Sequence, residues 1–340
     1  MNTEKCMIIA EAGINHNGDI RIALELVRAA SEAGSDAVKF QTFRTDDLVT
    51  QGTAKADYQK QHTDPEESQH SMLRKLELSH DDHHKLVEAC REHGITFLST
   101  GFDVHSLAFL GSLKMPVFKI PSGELTNLPL LRQVAGFGKP VIMSTGMASL
   151  EEISASLEAL EQAGATRSGI TLLHCTTQYP TPMQNVNLRA MLTLGETFPG
   201  VSIGYSDHTL GIEVPIAAAA LGARVLEKHF TLDRSMKGPD HAASLEPEEL
   251  KNMVTAVRNI ELAMGSGVKE PCAEEISTRA VARKAIVAAC PIREGEVFSE
   301  KNLTVKRSGS GISPMLWDQL LDCAALQDYA RDETINHPLS

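Results

Sequence analysis

The sequence lacks three features that mark particular classes of protein. It has no apolar run near the roughly 20 residues that a membrane-spanning helix requires, and the short N-terminal run at residues 6–10 is followed by Glu11, which favours a strand over a signal peptide. Its six cysteines include no CxxC pair, so we expect reduced thiols in a cytoplasmic protein. It is also short of cations, and the formal net charge of -12 disfavours nucleic acids and anionic membranes as partners.

The sequence does contain a repeated alternation of short apolar runs and longer amphipathic stretches. Helical periodicity predicts helices that include residues 20–34, 149–164 and 246–265, and Ser149 with Glu152 forms a capping-box pattern. Strands that alternate with helices indicate a parallel sheet, and eight such units in about 265 residues fit a (β/α)8 TIM barrel. A doubly wound open sheet is the alternative. The runs that predict buried strands are CMIIAE, AVKFQT, TFLST, VFKIPS, PVIMST, ITLLHC, VSIGYS and RVLEKHF.

The chain changes character after the eighth repeat. We predict a TIM-barrel catalytic domain at residues 1–268, a linker at residues 269–282 and a small β-rich domain at residues 283–340. A module of about 60 residues is marginal alone, so we expect it to pack against the barrel or a second chain. Residues 41–79 form a polar stretch that is long for a β/α loop, which favours a functional segment or a lid.

Polar and ionisable side chains stand where each apolar run ends. The carboxyl ends of barrel strands form the mouth at which barrel enzymes carry their chemistry, so we expect these side chains to converge. Each has a simpler explanation alone, since Lys39 could extend to solvent and Ser144 could cap the next helix, but eight strands that all end this way favour a functional mouth. The set includes Glu11, Lys39, Gln41, Lys119, Ser122, Glu124, Ser144, Thr177, Tyr179, Ser206, His208, Glu227 and His229.

These residue types suit two kinds of ligand. Lys39 and Lys119 are costly to bury unless an anion neutralises them, and neighbouring hydroxyl groups suit phosphate or carboxylate oxygens. His208 and His229 follow adjacent strands and could share a divalent metal, which Glu11 could join directly or through water. Spacing alone leaves the metal open, because two histidines at such a separation are common.

Motifs in order along nearly the whole chain read IAEAGINHNG, AVKFQTF, FKIPSGE, VIMSTGMAS, LLHCTTQYPTP, GYSDHTLG, EKHFTLDRSMKGPDHAASLEP and GSGISP. Together they resemble the bacterial sialic acid synthase family, the N-acetylneuraminate synthases. The resemblance implies a TIM barrel followed by a small antifreeze-like (SAF) domain, in a domain-swapped homodimer where the small domain of one chain caps the barrel of the other. It implies condensation of phosphoenolpyruvate with N-acetylmannosamine, with release of phosphate and use of Mn2+ or Mg2+.

The resemblance also implies a role for each residue of the mouth. His208 and His229 become metal ligands, with Glu11 and Glu227 near the metal and the acceptor. Arg307 of the small domain reaches the N-acetyl group across the dimer, and either Glu11 or Glu124 could activate the water that the reaction consumes. The residues implied for phosphoenolpyruvate are Lys39, Gln41, Lys119, Ser122, Ser144, Thr177 and Ser206, and those for the sugar are Glu124, Tyr179 and Asp240.

Several alternatives stay open. The same chemistry could act on a related sugar, as in legionaminic or pseudaminic acid synthases, or on a 6-phosphorylated acceptor, although YQ at residues 58–59 and DHAASLEP at residues 240–247 favour N-acetylmannosamine. A non-catalytic sugar-binding protein would not need the lysines and histidines, and an ordinary metal-dependent aldolase would release no phosphate. Gly101 and Ser308 stand where the family usually has proline, which loosens two loops.

Overall fold

The structure is a computed structural model that describes residues 5–56, 59–60, 63–64 and 66–336. It consists of two compact units, which divide between Ser266 and Gly267. This division falls close to the predicted end of the barrel at residue 268.

The first unit is a closed barrel of eight parallel strands, so the predicted fold class is confirmed. Neighbouring strands pair in chain order, and the first strand closes the barrel against the eighth. The strands are β1 (Met7–Gly13), β2 (Ala37–Thr42), β3 (Thr96–Gly101), β4 (Phe118–Ile120), β5 (Val141–Ser144), β6 (Ile170–His174), β7 (Ser202–Asp207) and β8 (Val225–His229).

Helices connect the strands and pack on the barrel through their apolar faces. The predicted capping box is present, because the Ser149 hydroxyl accepts from the Glu152 N–H while the Glu152 carboxylate accepts from the Ser149 N–H. The helices of this unit are α1 (Ile20–Glu32), α2 (Thr45–Leu48), α3 (Gln69–Arg74), α4 (His80–Glu92), α5 (Val104–Ser112), α6 (Leu128–Gly136), α7 (Leu150–Gln162), α8 (Ala190–Thr197), α9 (Glu213–Ala220) and α10 (Pro247–Met264).

The interior of the barrel is divided into an apolar part and a polar part. A small buried cluster fills the barrel and includes Ile9, Leu98, Ile142 and Leu173. Because side chains alternate along a strand, the residue two positions beyond Ile9 points to the same interior. That residue is Glu11, which pairs in register with Lys39 of β2 and with His229 of β8, so the polar layer lies directly beyond the apolar one.

The polar stretch at residues 41–79 contains ordered structure and an apolar cluster of its own. Helices α2 and α3 lie within it, and Ile14, Phe43, Met72, Leu73 and Leu76 form a buried cluster. Ile14 and Phe43 directly follow β1 and β2, so this cluster ties the described part of the stretch to the ends of those strands.

Gly101, at the end of β3, has a close neighbour in the next helix. A Cβ at this position would lie 2.7 Å from Leu107 Cδ2, which real Cβ atoms essentially never do. Leu107 of α5 is fully buried, so in this chain it fills the space that a side chain at position 101 would need.

The second unit is a small β-rich body. It contains the antiparallel pair β9 (Lys284–Ala288) and β10 (Leu303–Arg307), and helices α11 (Ala273–Ala282) and α12 (Trp317–Leu320). Its separate core includes Ile286, Phe298, Leu320 and Tyr329. In the described part of the whole chain, no helix has the length and apolar character needed to cross a membrane.

Candidate active site

The mouth of the barrel opens into a cavity of about 470 Å³. The structure brings to this cavity most of the residues that the sequence singled out, although they come from six strands and from the loops that follow β4, β6, β7 and β8. Those that line it are Glu11, Lys39, Gln41, Lys119, Ser122, Ser144, Thr177, Tyr179, Ser206, His208, Glu227, His229 and Asp240.

One side of the cavity floor is an ion-pair network around Lys39. Its Nζ lies 2.5 Å from Glu11 Oε2 and 3.6 Å from Glu227 Oε2, and it donates to Thr100 Oγ1 at 3.0 Å. None of the three charged side chains is more than 6% exposed. Buried charges are tolerated when they are paired and hydrogen-bonded, so the network explains how Lys39 stays in the barrel.

The second lysine of the floor is linked to the first through Glu227. Lys119 Nζ lies 3.6 Å from Glu227 Oε1 and donates to Ser144 Oγ at 2.6 Å. Ser206 Oγ donates to the same Glu227 oxygen at 2.9 Å. Glu227 therefore bridges two ammonium groups, and these polar atoms face one cavity.

Burial and pairing set the proton affinities of this floor. Burial raises the pKa of Glu11 above its usual range, since the opposing effect of Lys39 is smaller. Burial also acts to raise the pKa of Glu227, but Lys119, Lys39 and the Ser206 hydroxyl outweigh it and hold that pKa below its usual range. Burial lowers the pKa of Lys119, and Glu227 opposes this effect only in part. Of the two carboxyl groups, Glu11 is thus the one that can take up a proton near neutral pH.

The two histidines lie next to each other at the mouth, and His229 of β8 is the register partner of Glu11. Their ring centroids are 5.4 Å apart, and the Tyr179 ring lies 4.1 Å from that of His208. His208 Nδ1 is 2.7 Å from the Thr176 carbonyl oxygen, which leaves Nε2 for a ligand. His229 Nδ1 is buried and has no hydrogen-bond partner among the described residues, and it lies 3.7 Å from Asp240 Oδ2.

This arrangement fits a divalent cation. Burial lowers the pKa of His208, and burial together with the neighbouring His208 and Lys39 lowers the pKa of His229 well below its usual value. Both imidazoles are therefore neutral at pH 7, which is the form that binds metal. Like His229 Nδ1, the Glu227 Oε2 atom is buried and has no hydrogen-bond partner within the described ranges. Two ring nitrogens with nearby carboxylates can hold a divalent cation and leave coordination positions for substrate oxygens.

A second group of ligand-type side chains lies elsewhere. Within the described part of the chain, Asp47, Asp103 and His105 are the three whose ligand atoms all lie within 4.8 Å of one another. Their oxygens are already engaged, because Asp103 accepts from the Arg44 and Ser106 N–H groups and Asp47 pairs with Arg44 at 3.3 Å. Asp103 therefore acts as a helix cap, and Asp47 forms an ion pair at the surface.

Two residues that the sequence assigned to the site do not line the cavity. Glu124 follows β4 in a short turn, where its carboxylate accepts from Asn127 Nδ2 at 2.6 Å. Arg307 is exposed at the end of β10 in the second unit. Gln59 and Gln69 do line the cavity, whereas Tyr58 falls outside the described residues.

Sequence reasoning missed an apolar wall on the outer side of the cavity. The wall comes from α2 and α3 and from the residues that directly follow β2, α2 and β3, and it shares Phe43 and Leu73 with the buried cluster described above. Its signal was the apolar residues inside a stretch that looked polar overall. The wall consists of Phe43, Leu48, Val49, Leu73 and Phe102.

A closed (β/α)8 barrel whose mouth holds two buried lysines and two imidazoles is typical of barrel enzymes, which carry their chemistry at the carboxyl ends of the strands. Comparison with known proteins shows which family of barrel proteins this chain resembles. Residues 26–269 match the NeuB family. The chain is 49% identical over 332 residues to the N,N'-diacetyllegionaminic acid synthase of Campylobacter jejuni, covering 98% of this chain and 99% of that one. It is 48% identical over 311 residues to the N,N'-diacetyllegionaminic acid synthase of Legionella pneumophila, covering 91% and 87%.

A solved structure agrees with these sequence relatives. The N-acetylneuraminic acid synthetase of Leptospira borgpetersenii superposes with a TM-score of 0.71 at 34% identity, over 82% of this chain and 93% of that one. The chain therefore belongs to the NeuB family, whose members include sialic acid-type synthases.

Proposed function

We propose that this protein is a legionaminic acid-type synthase, which condenses phosphoenolpyruvate with a diacetamido-trideoxy hexose and releases phosphate. Two relatives with nearly half their residues identical bear the name of a diacetyllegionaminic acid synthase, whereas the N-acetylneuraminic acid synthetase shares 34%. The sequence motifs had favoured N-acetylmannosamine as acceptor, and these relatives support the alternative better.

The observation that carries the choice of acceptor is the apolar wall. Acetamido and 6-deoxy methyl groups are apolar and gain from contact with side chains such as Phe43, Val49 and Leu73. The lysines that line the described part of the cavity, Lys39 and Lys119, are both paired with carboxylates at its floor. The wall thus offers little to a 6-phosphate, while it suits a deoxy sugar with two acetamido groups.

The floor suits phosphoenolpyruvate. Lys39 and Lys119 supply positive charge, and the hydroxyl groups of Ser122, Ser144 and Ser206 can donate to phosphate and carboxylate oxygens. When the anionic donor draws Lys39 away, Glu11 loses its ion-pair partner, and this raises its proton affinity further.

The residues of the mouth also suit the chemistry. A divalent cation at His208 and His229 would polarise the acceptor aldehyde for attack by C3 of phosphoenolpyruvate. Water must then add at C2, after which the C2–O bond to phosphate breaks. Glu11 is better placed than Glu124 to accept the proton from that water, because Glu11 lines the cavity and Glu124 does not. Asp240 can hold hydroxyl or amide groups of the sugar.

The test is turnover with phosphoenolpyruvate and a panel of acceptors, measured as phosphate release and as 2-keto acid by the thiobarbituric acid reaction. The panel holds N-acetylmannosamine, its 6-phosphate and the diacetamido-trideoxy mannose, each with chelated enzyme and after Mn2+ is added back. We expect the diacetamido sugar to give the highest kcat/KM, and turnover to depend on the metal.

Each other outcome identifies a different function. A higher kcat/KM for N-acetylmannosamine would restore the acceptor that the motifs favoured. Consumption of both substrates without phosphate release would indicate an aldolase, and binding of the sugar without turnover would indicate a sugar-binding protein.

A further inference from the structure

A second buried ion pair lies on the opposite face of the two strands that carry the histidines. Asp207 ends β7 and Lys228 precedes the last residue of β8, and the two are direct partners in the strand register. Lys228 Nζ lies 2.5 Å from Asp207 Oδ2, and each side chain is 1% exposed. Neither residue lines the cavity, so the pair does not touch bound substrate.

The pair is part of a closed hydrogen-bond network. Asp207 Oδ1 accepts from the Thr209 N–H at 3.1 Å, and Asp207 Oδ2 accepts from the Thr209 hydroxyl at 2.9 Å. Lys228 Nζ donates to the Thr209 carbonyl oxygen as well. Residues 207–209 are thus held as a tight turn, and Lys228 ties this turn to β8.

His208 lies inside this turn, and His229 directly follows Lys228. Side chains alternate along a strand, so an outward Lys228 places Glu227 and His229 inward. The His208 carbonyl oxygen accepts from the Thr181 N–H at 2.8 Å, and its Nδ1 meets the Thr176 carbonyl oxygen. The His208 ring is therefore oriented by the Thr176 carbonyl oxygen, and the cross-strand pair joins the backbone next to His208 to the backbone next to His229.

We infer that Asp207 and Lys228 are positioning residues that set the separation of His208 and His229 for a divalent cation. This inference rests on the metal ligands assigned under the proposed function. A buried ion pair is weak evidence for a role in stability, because an uncharged pair of similar volume often serves as well. Its role here is geometric, since it joins the two strand ends one residue away from each ligand.

The test separates geometry from stability. The double variant Asp207→Asn with Lys228→Met removes both charges and the cross-strand link, while the new side-chain amide can still accept from Thr209. We expect this variant to unfold close to the wild-type temperature and to bind Mn2+ about tenfold more weakly or worse, as is typical when outer-sphere support is lost. Mn2+ binding is measured on the metal-free full chain by electron paramagnetic resonance of the free ion.

Two further variants keep the result decisive. Thr209→Val removes one hydrogen bond to Asp207 without leaving a buried charge unpaired, so it tests the turn even if the double variant fails to fold. We expect it to weaken Mn2+ binding about threefold, which is roughly the loss of one modest hydrogen bond. Glu88→Gln with Arg91→Met neutralises an exposed ion pair on α4 and is the matched control, with unchanged Mn2+ affinity expected.

The outcomes distinguish this inference from the proposed function. Wild-type Mn2+ affinity in a folded double variant overturns the positioning role, and wild-type affinity in Thr209→Val overturns it when the double variant does not fold. His208→Ala is measured in parallel. If His208→Ala binds Mn2+ as the wild type does, the metal site itself is wrongly assigned; if only His208→Ala loses binding, the positioning role alone fails.

Discussion

Folding buries the carboxyl group of Asp240 away from water, and this burial increases the proton affinity of the group. Burial raises the pKa of Asp240 from 3.8 to about 6. The folded protein therefore keeps this proton at pH values where the unfolded chain has lost it. The contribution of this protonated group to the free energy of unfolding is complete below about pH 4 and is lost as the pH rises to about 6. Above that pH, the ionised group costs the native state about 3 kcal/mol.

We predict that Asp240→Asn increases the free energy of unfolding of the metal-free protein at pH 8 by up to about 3 kcal/mol, and by much less at pH 4. Urea unfolding at the two pH values measures the difference. Glu92→Gln, at an exposed carboxyl group at the end of α4, is the control and should show no such gain. An equal gain at both pH values would show that ionisation of Asp240 is not the cause.

A second prediction concerns the histidines. His208→Ala or His229→Ala should lower metal-dependent turnover by at least about 100-fold, more than outer-sphere changes usually do. His105→Ala is the matched control, because His105 belongs to the other group of ligand-type side chains and should leave turnover intact. Steady-state phosphate release with and without Mn2+ measures each variant, and near wild-type activity in either of the first two would refute the ligand assignment.

At the scale of elements, the capping residue at the start of a helix determines where that helix begins after its strand. Helix α7 follows β5, which ends in Ser144 at the cavity floor, and its start is fixed by the reciprocal bonds of Ser149 and Glu152. We predict that Ser149→Ala lowers the free energy of unfolding by about 1 kcal/mol, because it leaves a helix N–H without its acceptor. Urea unfolding of the barrel measures this loss.

Ser154→Ala, one turn into the same helix, is the control for that prediction. Ser154 makes only a weak contact of 3.5 Å to Glu158, and alanine favours the helix interior. Its effect on the unfolding free energy should be close to zero. Equal losses in the two variants would assign the effect to serine removal in general and not to the cap.

At the scale of the whole molecule, the domain-swapped homodimer stays a prediction from the family resemblance. We expect Arg307→Ala to raise the KM for the sugar about tenfold or more, the usual effect of losing one charged hydrogen bond, while the KM for phosphoenolpyruvate changes little. Arg331→Ala, at another exposed arginine of the second unit, is the control. An unchanged sugar KM in Arg307→Ala would remove the contact.

Mixing two impaired chains tests the exchange itself. If the small domain caps the partner's barrel, dimers of Arg307→Ala with His208→Ala carry one site with both defects and one site with neither. Turnover at low sugar concentration should then rise on mixing and refolding. If each small domain serves its own barrel, every site keeps one defect and no rise occurs.

Part of the site could be read from the sequence because it depends on local rules. Strand ends are visible as the point where an apolar run stops, and in a parallel barrel all such ends meet at one mouth. This places Lys39, Lys119, His208 and His229 together, as the structure has them. The apolar wall was hidden because four of its members are scattered through a polar stretch and the fifth, Phe102, follows a different strand.

The sequence by itself determined the order of strands and helices and which end of the strands carries the polar residues, because these follow from the local periods of apolar residues. It favoured a closed barrel over an open sheet, and the pairing of β1 with β8 in the structure decided the closure. Only the tertiary structure decided that Glu227 bridges two lysines, that Glu11 and Asp240 hold their protons more tightly, and that Glu124 turns to Asn127 instead of the cavity. Those outcomes depend on the register between distant strands and on how far water is excluded, and neither is a local property of the chain.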